Sequence, residues 1–73
     1  MDSPAADITI RVNGEPLAVP ARCTLDELLE RMGMAGQRVA VERNEDVVPR
    51  SEHATTGLQE GDRIEIIRAI GGG

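Results

Sequence analysis

The sequence predicts an α+β fold, in which one main helix packs on one face of a mixed sheet of four to five short strands. Two observations lead to this prediction. Segments in which apolar and polar residues alternate, as in strands, lie near both ends of the chain, and one apolar stripe with helical spacing lies between them. Several turn signals divide the remainder into short pieces, as expected for a small domain with a single core.

The length and charge of the chain restrict its function. Seventy-three residues make one small domain, which buries only about 60% of the surface that its unfolded chain exposes. Thirteen acidic residues against eight arginines give a formal charge of −5. This balance argues against nucleic-acid binding, because a basic patch is needed to contact phosphates. An acidic surface is either simply solvated or steers the protein toward a basic partner.

Targeting features favour a cytoplasmic location. No apolar run approaches the roughly 20 residues needed to cross a membrane, so no membrane association is predicted. The single cysteine, Cys23, cannot form an internal disulfide, which suits a reducing compartment. Residues 1–7 lack the pattern of a signal peptide and are predicted to form a flexible arm.

The first predicted element is a β-hairpin. Alternation over Ile8–Val12 predicts a half-buried strand, and Asn13-Gly14 is a strong signal for a two-residue turn. The return strand is expected to direct Leu17 and Val19 inward. Because Pro16 cannot donate a hydrogen bond to a neighbouring strand, this second strand is predicted to lie at an edge of the sheet.

The main helix follows the hairpin. Residues 24–27 fit a capping box, with Thr24 as the N-cap and Glu27 reaching back to it. Gly33 or Gly36 can end the helix in a left-handed conformation. The apolar stripe that is expected to face the core has the spacing i, i+3, i+4, i+7 and consists of Leu25, Leu28, Leu29 and Met32.

Short strands complete the chain. We predict a third strand over Val39–Arg43, a polar turn at 44–46, a very short strand at 47–48 and one helical turn at 51–53. A turn at 60–62 precedes the longest β-prone run, residues 63–70. If this last strand lies beside the first, the two are parallel and the helix supplies a right-handed crossover. The arrangement is the β-grasp, or ubiquitin-like, roll, over residues 8–70, followed by a flexible glycine tail at 71–73.

Side chains suited to catalysis are sparse. His53 has no second histidine or cysteine at ligand spacing, so we predict no metal site and place His53 on the surface. Cys23 precedes the helix and is interpreted as a small buried residue rather than a reactive thiol. No phosphate-binding loop and no catalytic set of side chains is recognisable. We therefore predict no catalytic residue and no enzyme activity.

The C-terminal glycines are the candidate functional group. Gly71, Gly72 and Gly73 follow the last predicted strand closely, and three extended residues reach about 10 Å, enough to enter a channel too narrow for side chains. The carboxylate of Gly73 would need activation before acyl transfer. A frayed end is the alternative interpretation, but the position after the last strand of a β-grasp fold favours function. Ile67, predicted to point outward, is a candidate docking residue together with Arg68 and Ile70.

At this point the sequence resembles a known family. It is similar to the sulfur carriers of thiamine biosynthesis, in the ThiS/MoaD branch of ubiquitin-like proteins, over nearly the whole chain from Ile8 to Gly73. The matching stretches are the hairpin at Asn13-Gly14 and residues 24–29, 47–50, 61–66 and 68–73. Val-Pro-Arg followed by Gly-Asp-Arg-Ile-Glu-Ile is more specific to these carriers than the terminal glycines, which many ubiquitin relatives share.

The resemblance implies a cycle of sulfur transfer. An E1-like adenylyltransferase of the ThiF type would use ATP and magnesium to adenylate the Gly73 carboxylate. Sulfur from a cysteine desulfurase or rhodanese-like donor would displace AMP and leave a thiocarboxylate. A thiazole synthase of the ThiG type would accept the sulfur. The chain itself would then bind no cofactor and act as a co-substrate.

Other functions remain open at this stage. The small subunit of molybdopterin synthase, or a carrier for another sulfur-containing metabolite, would use the same thiocarboxylate chemistry. A protein modifier would join the same carboxylate to lysines. A plain interaction module would make no use of the tail.

Overall fold

The computed structural model describes residues 7–68. In chain order, the elements are β1 (Ile8–Val12), β2 (Glu15–Val19), α1 (Leu25–Arg31), β3 (Val39–Arg43), β4 (Asp46–Val48), a 3₁₀ turn (Arg50–Glu52) and β5 (Arg63–Arg68). The five strands form one sheet in the order β2-β1-β5-β3-β4. β5 is parallel to β1, as predicted for a β-grasp roll, and it is antiparallel to β3. Within these residues, no helix is long and apolar enough to cross a membrane.

Two tight turns of the same kind set the registers of the hairpins. Asn13 and Gly14 have φ of 51° and 88°, and Asn44 and Glu45 have φ of 52° and 76°. Positive φ at both central positions matches the right-handed twist of the paired strands. The second turn is one residue shorter than predicted, because Asp46 already pairs with Arg43 as the first residue of β4.

Leu17 lies on the predicted core face, opposite Ile10, but the edge position of β2 leaves it less covered than Val19. Val19 is buried, but 36% of Leu17 is exposed. β2 lies at the edge of the sheet, as Pro16 predicted, with β1 as its neighbour on one side. Alternation along a strand predicts which face a side chain lies on, but it does not show how far the helix covers that face.

Helix α1 has the predicted N-terminus. Thr24 Oγ1 accepts the Glu27 N–H at 3.2 Å, and Glu27 Oε1 accepts the Thr24 N–H at 3.1 Å, which completes the capping box. At the other end Gly33, with φ of 75°, ends the helix in a left-handed conformation. Leu25, Leu28 and Leu29 are buried and Met32 is partly buried against them. The single apolar stripe therefore faces the sheet.

His53 is buried, although the sequence predicted a surface residue. It is 4% exposed, and its Nε2 lies 3.1 Å from the carbonyl oxygen of Val48. Its own carbonyl accepts the Asp26 N–H at 3.1 Å. The 3₁₀ turn therefore folds His53 between the end of β4 and the first turn of α1. Its polar partners are backbone groups, and sequence spacing does not reveal them.

The core lies between α1 and the sheet. Ile64 and Ile66 of β5 are 1% and 8% exposed, so the prediction that they share the core face is confirmed. The buried apolar residues are Ile10, Val12, Val19, Cys23, Leu25, Leu28, Leu29, Val41, Leu58, Ile64 and Ile66. Residues 69 and 70, which we predicted to continue β5, lie outside the described part of the chain.

Candidate functional site at the end of the central strand

The strand that leads to the glycine tail is the middle strand of the sheet. β1 and β3 flank β5 and pair with it through Val12↔Ile64 and Val41↔Ile66, among others. With Ile64 and Ile66 in the core, the last described part of the chain is held by both side-chain packing and backbone pairing. The fold therefore fixes the position from which residues 69–73 continue.

An asparagine side chain extends the pairing of β5. Asn13 Oδ1 accepts the Ile66 N–H at 2.9 Å, and the Asn13 N–H donates to the Ile64 carbonyl at 2.9 Å. One turn residue thus binds two positions of β5, more than fifty residues away in sequence. The sequence predicted Asn13 as a turn residue, but nothing in it indicated this second role.

A buried carboxylate holds the start of β5. Asp62 is 5% exposed, and its two oxygens accept the Gln59 N–H at 2.9 Å, Arg43 Nε at 2.9 Å and Asn44 Nδ2 at 3.1 Å. Burial alone would raise the pKa of Asp62. The hydrogen bonds from Gln59, Arg43 and Asn44, together with the charge of Arg43, outweigh burial and hold the pKa below its ordinary value.

The turn between β3 and β4 is joined to β5 through the same group of residues. Asn44 Oδ1 accepts the Arg63 N–H at 2.9 Å, and the Asn44 N–H donates to the Arg63 carbonyl at 2.8 Å. The Arg11 N–H donates to the Asp62 carbonyl at 2.9 Å. Asp62 and Asn44 were not predicted as important residues, because a turn motif does not show which distant strand its side chains contact.

The sheet face opposite α1 combines charged and apolar side chains. Ile67 is 50% exposed there, as predicted, and Val47 is 68% exposed. Charges of the same sign lie opposite one another, with Arg11 beside Arg63 and Glu42 beside Glu65. A shallow depression on this face is lined by Glu42, Glu45, Arg63 and Glu65.

The cysteine is placed as a core residue. Cys23 is 1% exposed, and its Sγ lies 3.4 Å from the Thr24 carbonyl. Burial and then the Glu27 carboxylate raise the pKa of the Cys23 thiol, against a smaller opposing effect of Arg31. A buried thiol of this kind stays protonated at neutral pH and is a poor nucleophile.

No metal site is recognisable between residues 7 and 68, where no group of three or more His, Cys, Asp and Glu side chains could hold an ion. Of the predicted functional residues, Ile67 and Arg68 lie at the exposed end of β5. Ile70, Gly71, Gly72 and Gly73 lie outside the described residues.

Comparison with known proteins identifies the family. The sequence model of the ThiS family matches residues 7–73. The chain belongs to the ThiS family. The crystal structure of the thiamine biosynthesis protein ThiS from Geobacter metallireducens superposes with a TM-score of 0.78 at 32% identity, and the match covers 90% of this chain and 100% of that one. The predicted family and the predicted β-grasp fold are both confirmed.

Two further relatives of this ThiS-family chain differ greatly in length. The sulfur carrier protein ThiS of Escherichia coli is 33% identical over 64 residues, which cover 88% of this chain and 97% of that protein. The thiazole synthase of Magnetococcus marinus is 48% identical over 64 residues, covering 88% of this chain but 20% of that protein. The present chain thus corresponds to about a fifth of the length of that thiazole synthase.

Proposed function

We propose that this chain is a sulfur carrier of thiamine biosynthesis that holds sulfur as a thiocarboxylate on Gly73. The observation that carries the proposal is the match to the ThiS family, which runs through the glycines to residue 73. Relatives named as sulfur carrier proteins and as thiazole synthases support it. The chain would act as a co-substrate in the cytoplasm rather than as an enzyme.

The proposed chemistry takes place on one carboxylate. An oxygen of the Gly73 carboxylate attacks the α-phosphate of ATP in an E1-like enzyme of the ThiF type, which also binds the magnesium, and pyrophosphate leaves. The terminal sulfur of a persulfide then attacks the acyl-adenylate carbon and AMP leaves. A second thiol takes the inner persulfide sulfur, which releases the thiocarboxylate. The persulfide would come from a cysteine desulfurase or a rhodanese-like protein.

The described residues contribute a firmly anchored last strand, β5, to this scheme. Ile64 and Ile66 anchor β5 in the core, and Asn13 binds its far half. β5 is therefore already ordered before a partner binds, and its own ordering adds little entropic cost to binding. Cys23 is buried and its thiol pKa is raised, so the sulfur would be carried on the terminus and not on this side chain.

A thiazole synthase of the ThiG type is the proposed acceptor. The sulfur of the thiocarboxylate would enter the thiazole ring, and the carboxylate of Gly73 would be restored. Docking would use the exposed end of β5, where Ile67 and Arg68 precede the tail, together with Ile70. The chain is not expected to bind nucleic acid or membranes.

Intact-protein mass spectrometry tests the proposal. The chain is incubated with ATP, magnesium, sulfide and a ThiF-type enzyme, and a mass increase matching the replacement of one oxygen by sulfur is expected. A chain lacking residues 71–73 is the negative control, and Cys23→Ala is the matched positive control, because it removes the only thiol. Absence of both the adenylate and the thiocarboxylate would exclude a carrier and favour an interaction module.

A complementation experiment then separates the carriers from one another. We expect the chain to restore growth of a thiamine auxotroph that lacks its own carrier. Thiocarboxylate formation without complementation would instead support the small subunit of molybdopterin synthase or a carrier for another metabolite. Conjugates of higher mass in cells would support a protein modifier.

A further inference from the structure

The central strand is paired along its length on one side but not on the other. β3 pairs with β5 from Arg43↔Ile64 to Val39↔Arg68. β1 pairs with β5 at Arg11↔Arg63 and Val12↔Ile64, and the chain then turns away at Asn13. The second half of β5 therefore has an open side, between the β1–β2 turn and the point where the tail begins.

Backbone groups point into this open side. Residues 63, 65 and 67 direct their N–H and C=O toward β3, as the bond from the Asn44 N–H to the Arg63 carbonyl shows at one end. Residues 64, 66 and 68 therefore direct theirs toward the β1 side. Asn13 binds the Ile64 carbonyl and the Ile66 N–H there. The β1–β5 register ends at Val12↔Ile64, so within residues 7–68 no strand residue on that side is paired with Ile66 or Arg68.

The two outer edges of the sheet contain features that oppose strand addition. On β2, the alternation from the turn places Pro16 with its missing N–H on the outward side. β4 has three residues and ends before Pro49. Short edge strands and prolines of this kind discourage pairing with other chains. The open side of β5 has neither a proline nor a turn up to Arg68, so it is the best template for an added strand.

We propose that an extended segment of the thiazole synthase adds as a strand to the open side of β5, pairing with Ile66 and Arg68. This inference rests on the proposed function. An unpaired strand edge is complementary to an extended backbone, and main-chain hydrogen bonds then supply the affinity. The thiazole synthase of Magnetococcus marinus contains a segment similar to this chain within one protein, which favours the synthase over the activating enzyme as the occupant.

An added strand at this place would direct the tail. Arg68 is the last described residue before the glycines. Three successive glycines have wide conformational freedom, so the terminus alone does not define a direction. Pairing both sides of β5 as far as Arg68 would fix the backbone immediately before the glycines, and it would leave fewer residues to be oriented in the active site of the synthase.

Amide hydrogen exchange tests the proposal on the unmodified chain. In the free protein, the Arg68 N–H should exchange much faster than the Ile67 N–H, which faces β3 and serves as an internal control. Addition of a ThiG-type thiazole synthase should slow exchange of the Arg68 N–H about tenfold or more, and leave Ile67 nearly unchanged. No slowing at Arg68 in a chain saturated with the synthase would overturn the proposal.

A matched pair of variants tests the same hydrogen bond by affinity. Arg68→Pro removes the N–H that faces the open side but no bond to β3, whereas Arg68→Ala removes the side chain alone. We expect Arg68→Pro to bind the synthase about tenfold more weakly than Arg68→Ala, because it loses one main-chain hydrogen bond across the interface. Circular dichroism would verify that both variants are folded.

The outcomes separate this inference from the proposed function. Equal affinities of the two folded variants would reject the added strand while leaving the carrier function intact. A wild-type chain that forms the thiocarboxylate but does not bind the synthase would reject the added strand and the acceptor together. Failure to form the thiocarboxylate would reject the carrier function itself.

Discussion

Glu42 and Glu65 lie directly opposite each other in the β3–β5 ladder, on the sheet face away from α1. Charges of the same sign at such a position repel each other and destabilise the sheet. Their depression also contains Glu45 and a single cation, Arg63. Three carboxylates and one cation therefore lie together on the sheet face that also carries Ile67.

Replacing one of these glutamates by a cation should stabilise the protein. We expect Glu65→Arg to raise the free energy of unfolding by about 0.2–1 kcal/mol, because a repulsive cross-strand pair becomes an attractive one. Urea denaturation at low salt measures this change. The gain should shrink at high salt, since exposed charges are screened. Glu65→Gln removes the repulsion alone, so its free energy of unfolding should lie between those of the wild type and Glu65→Arg. A gain in stability that does not depend on salt would contradict the electrostatic explanation.

Asn13 should contribute to stability through its amide. Asn13→Gly keeps the positive φ but loses the bond to the Ile66 N–H, and we expect it to lower the free energy of unfolding by about 1 kcal/mol. Asn13→Asp retains an oxygen at that position, so its free energy of unfolding should be closer to that of the wild type. Hydrogen exchange of the Ile66 N–H should be faster in the glycine variant; unchanged exchange would show that the bond does not persist in solution.

Asp62 should make stability dependent on pH in the acid range. Its pKa is lower in the folded protein than the ordinary value of 3.8. The corresponding stabilisation is therefore fully present above the ordinary pKa and is lost as the pH falls through the lower, folded pKa. Asp62→Asn should be less stable than the wild type at pH 7 by about 2 kcal/mol, and the difference should narrow in acid.

Urea denaturation at several pH values between neutrality and the acid range measures this effect. Asp46→Asn, at an exposed position of the β4 strand, is the matched control and should keep the pH dependence of the wild type. If the free energies of unfolding of Asp62→Asn and the wild type differ by the same amount at all pH values, Asp62 is not the titrating group.

Cys23 should be dispensable for sulfur transfer. Because its side chain is buried, Cys23→Ala should lower the free energy of unfolding by about 1 kcal/mol through the small cavity that it leaves. Thiocarboxylate formation, measured by intact mass at a temperature where the variant is folded, should proceed at the wild-type rate. Loss of sulfur transfer in the folded variant would indicate a covalent intermediate on this thiol.

Ile67 should contribute to partner docking. Ile67→Asp changes an exposed side chain and should alter the free energy of unfolding by at most about 1 kcal/mol. We expect sulfur transfer to the thiazole synthase to become slower at subsaturating carrier concentrations. Val47→Asp, an equally apolar and more exposed position on β4, is the control and should have a smaller effect. Equal effects would indicate a general response to charge on this face.

The elements of this fold that local chemistry determines could be predicted from the sequence. The Asn13-Gly14 turn, the capping box of Thr24 and the alternation of β5 each depend on residues close together in the chain. The crossover rule led to the β-grasp arrangement, and family resemblance added the sulfur chemistry of the tail, which stays a prediction. For the turn, the cap and β5, the signals and the structure agree because each local preference supports the same global arrangement.

The predictions that failed concern coverage and distant contacts. The side of Leu17 could be predicted, but not that α1 leaves it more than a third exposed. His53 could not be recognised as buried, because the Val48 carbonyl that satisfies it is a backbone group. The roles of Asn13 and Asp62 in holding β5 also depend on contacts that only the folded chain brings together.

The sheet order has a consequence for folding of the protein. β5 is the last of the described strands in chain order but lies third of five in the sheet. The β1–β2 and β3–β4 hairpins can each form locally, but no strand pairing joins one hairpin to the other until residues 63–68 take their place between them. A chain in which β5 is not yet in place therefore exposes two inner strand edges, a state that favours aggregation or chaperone binding.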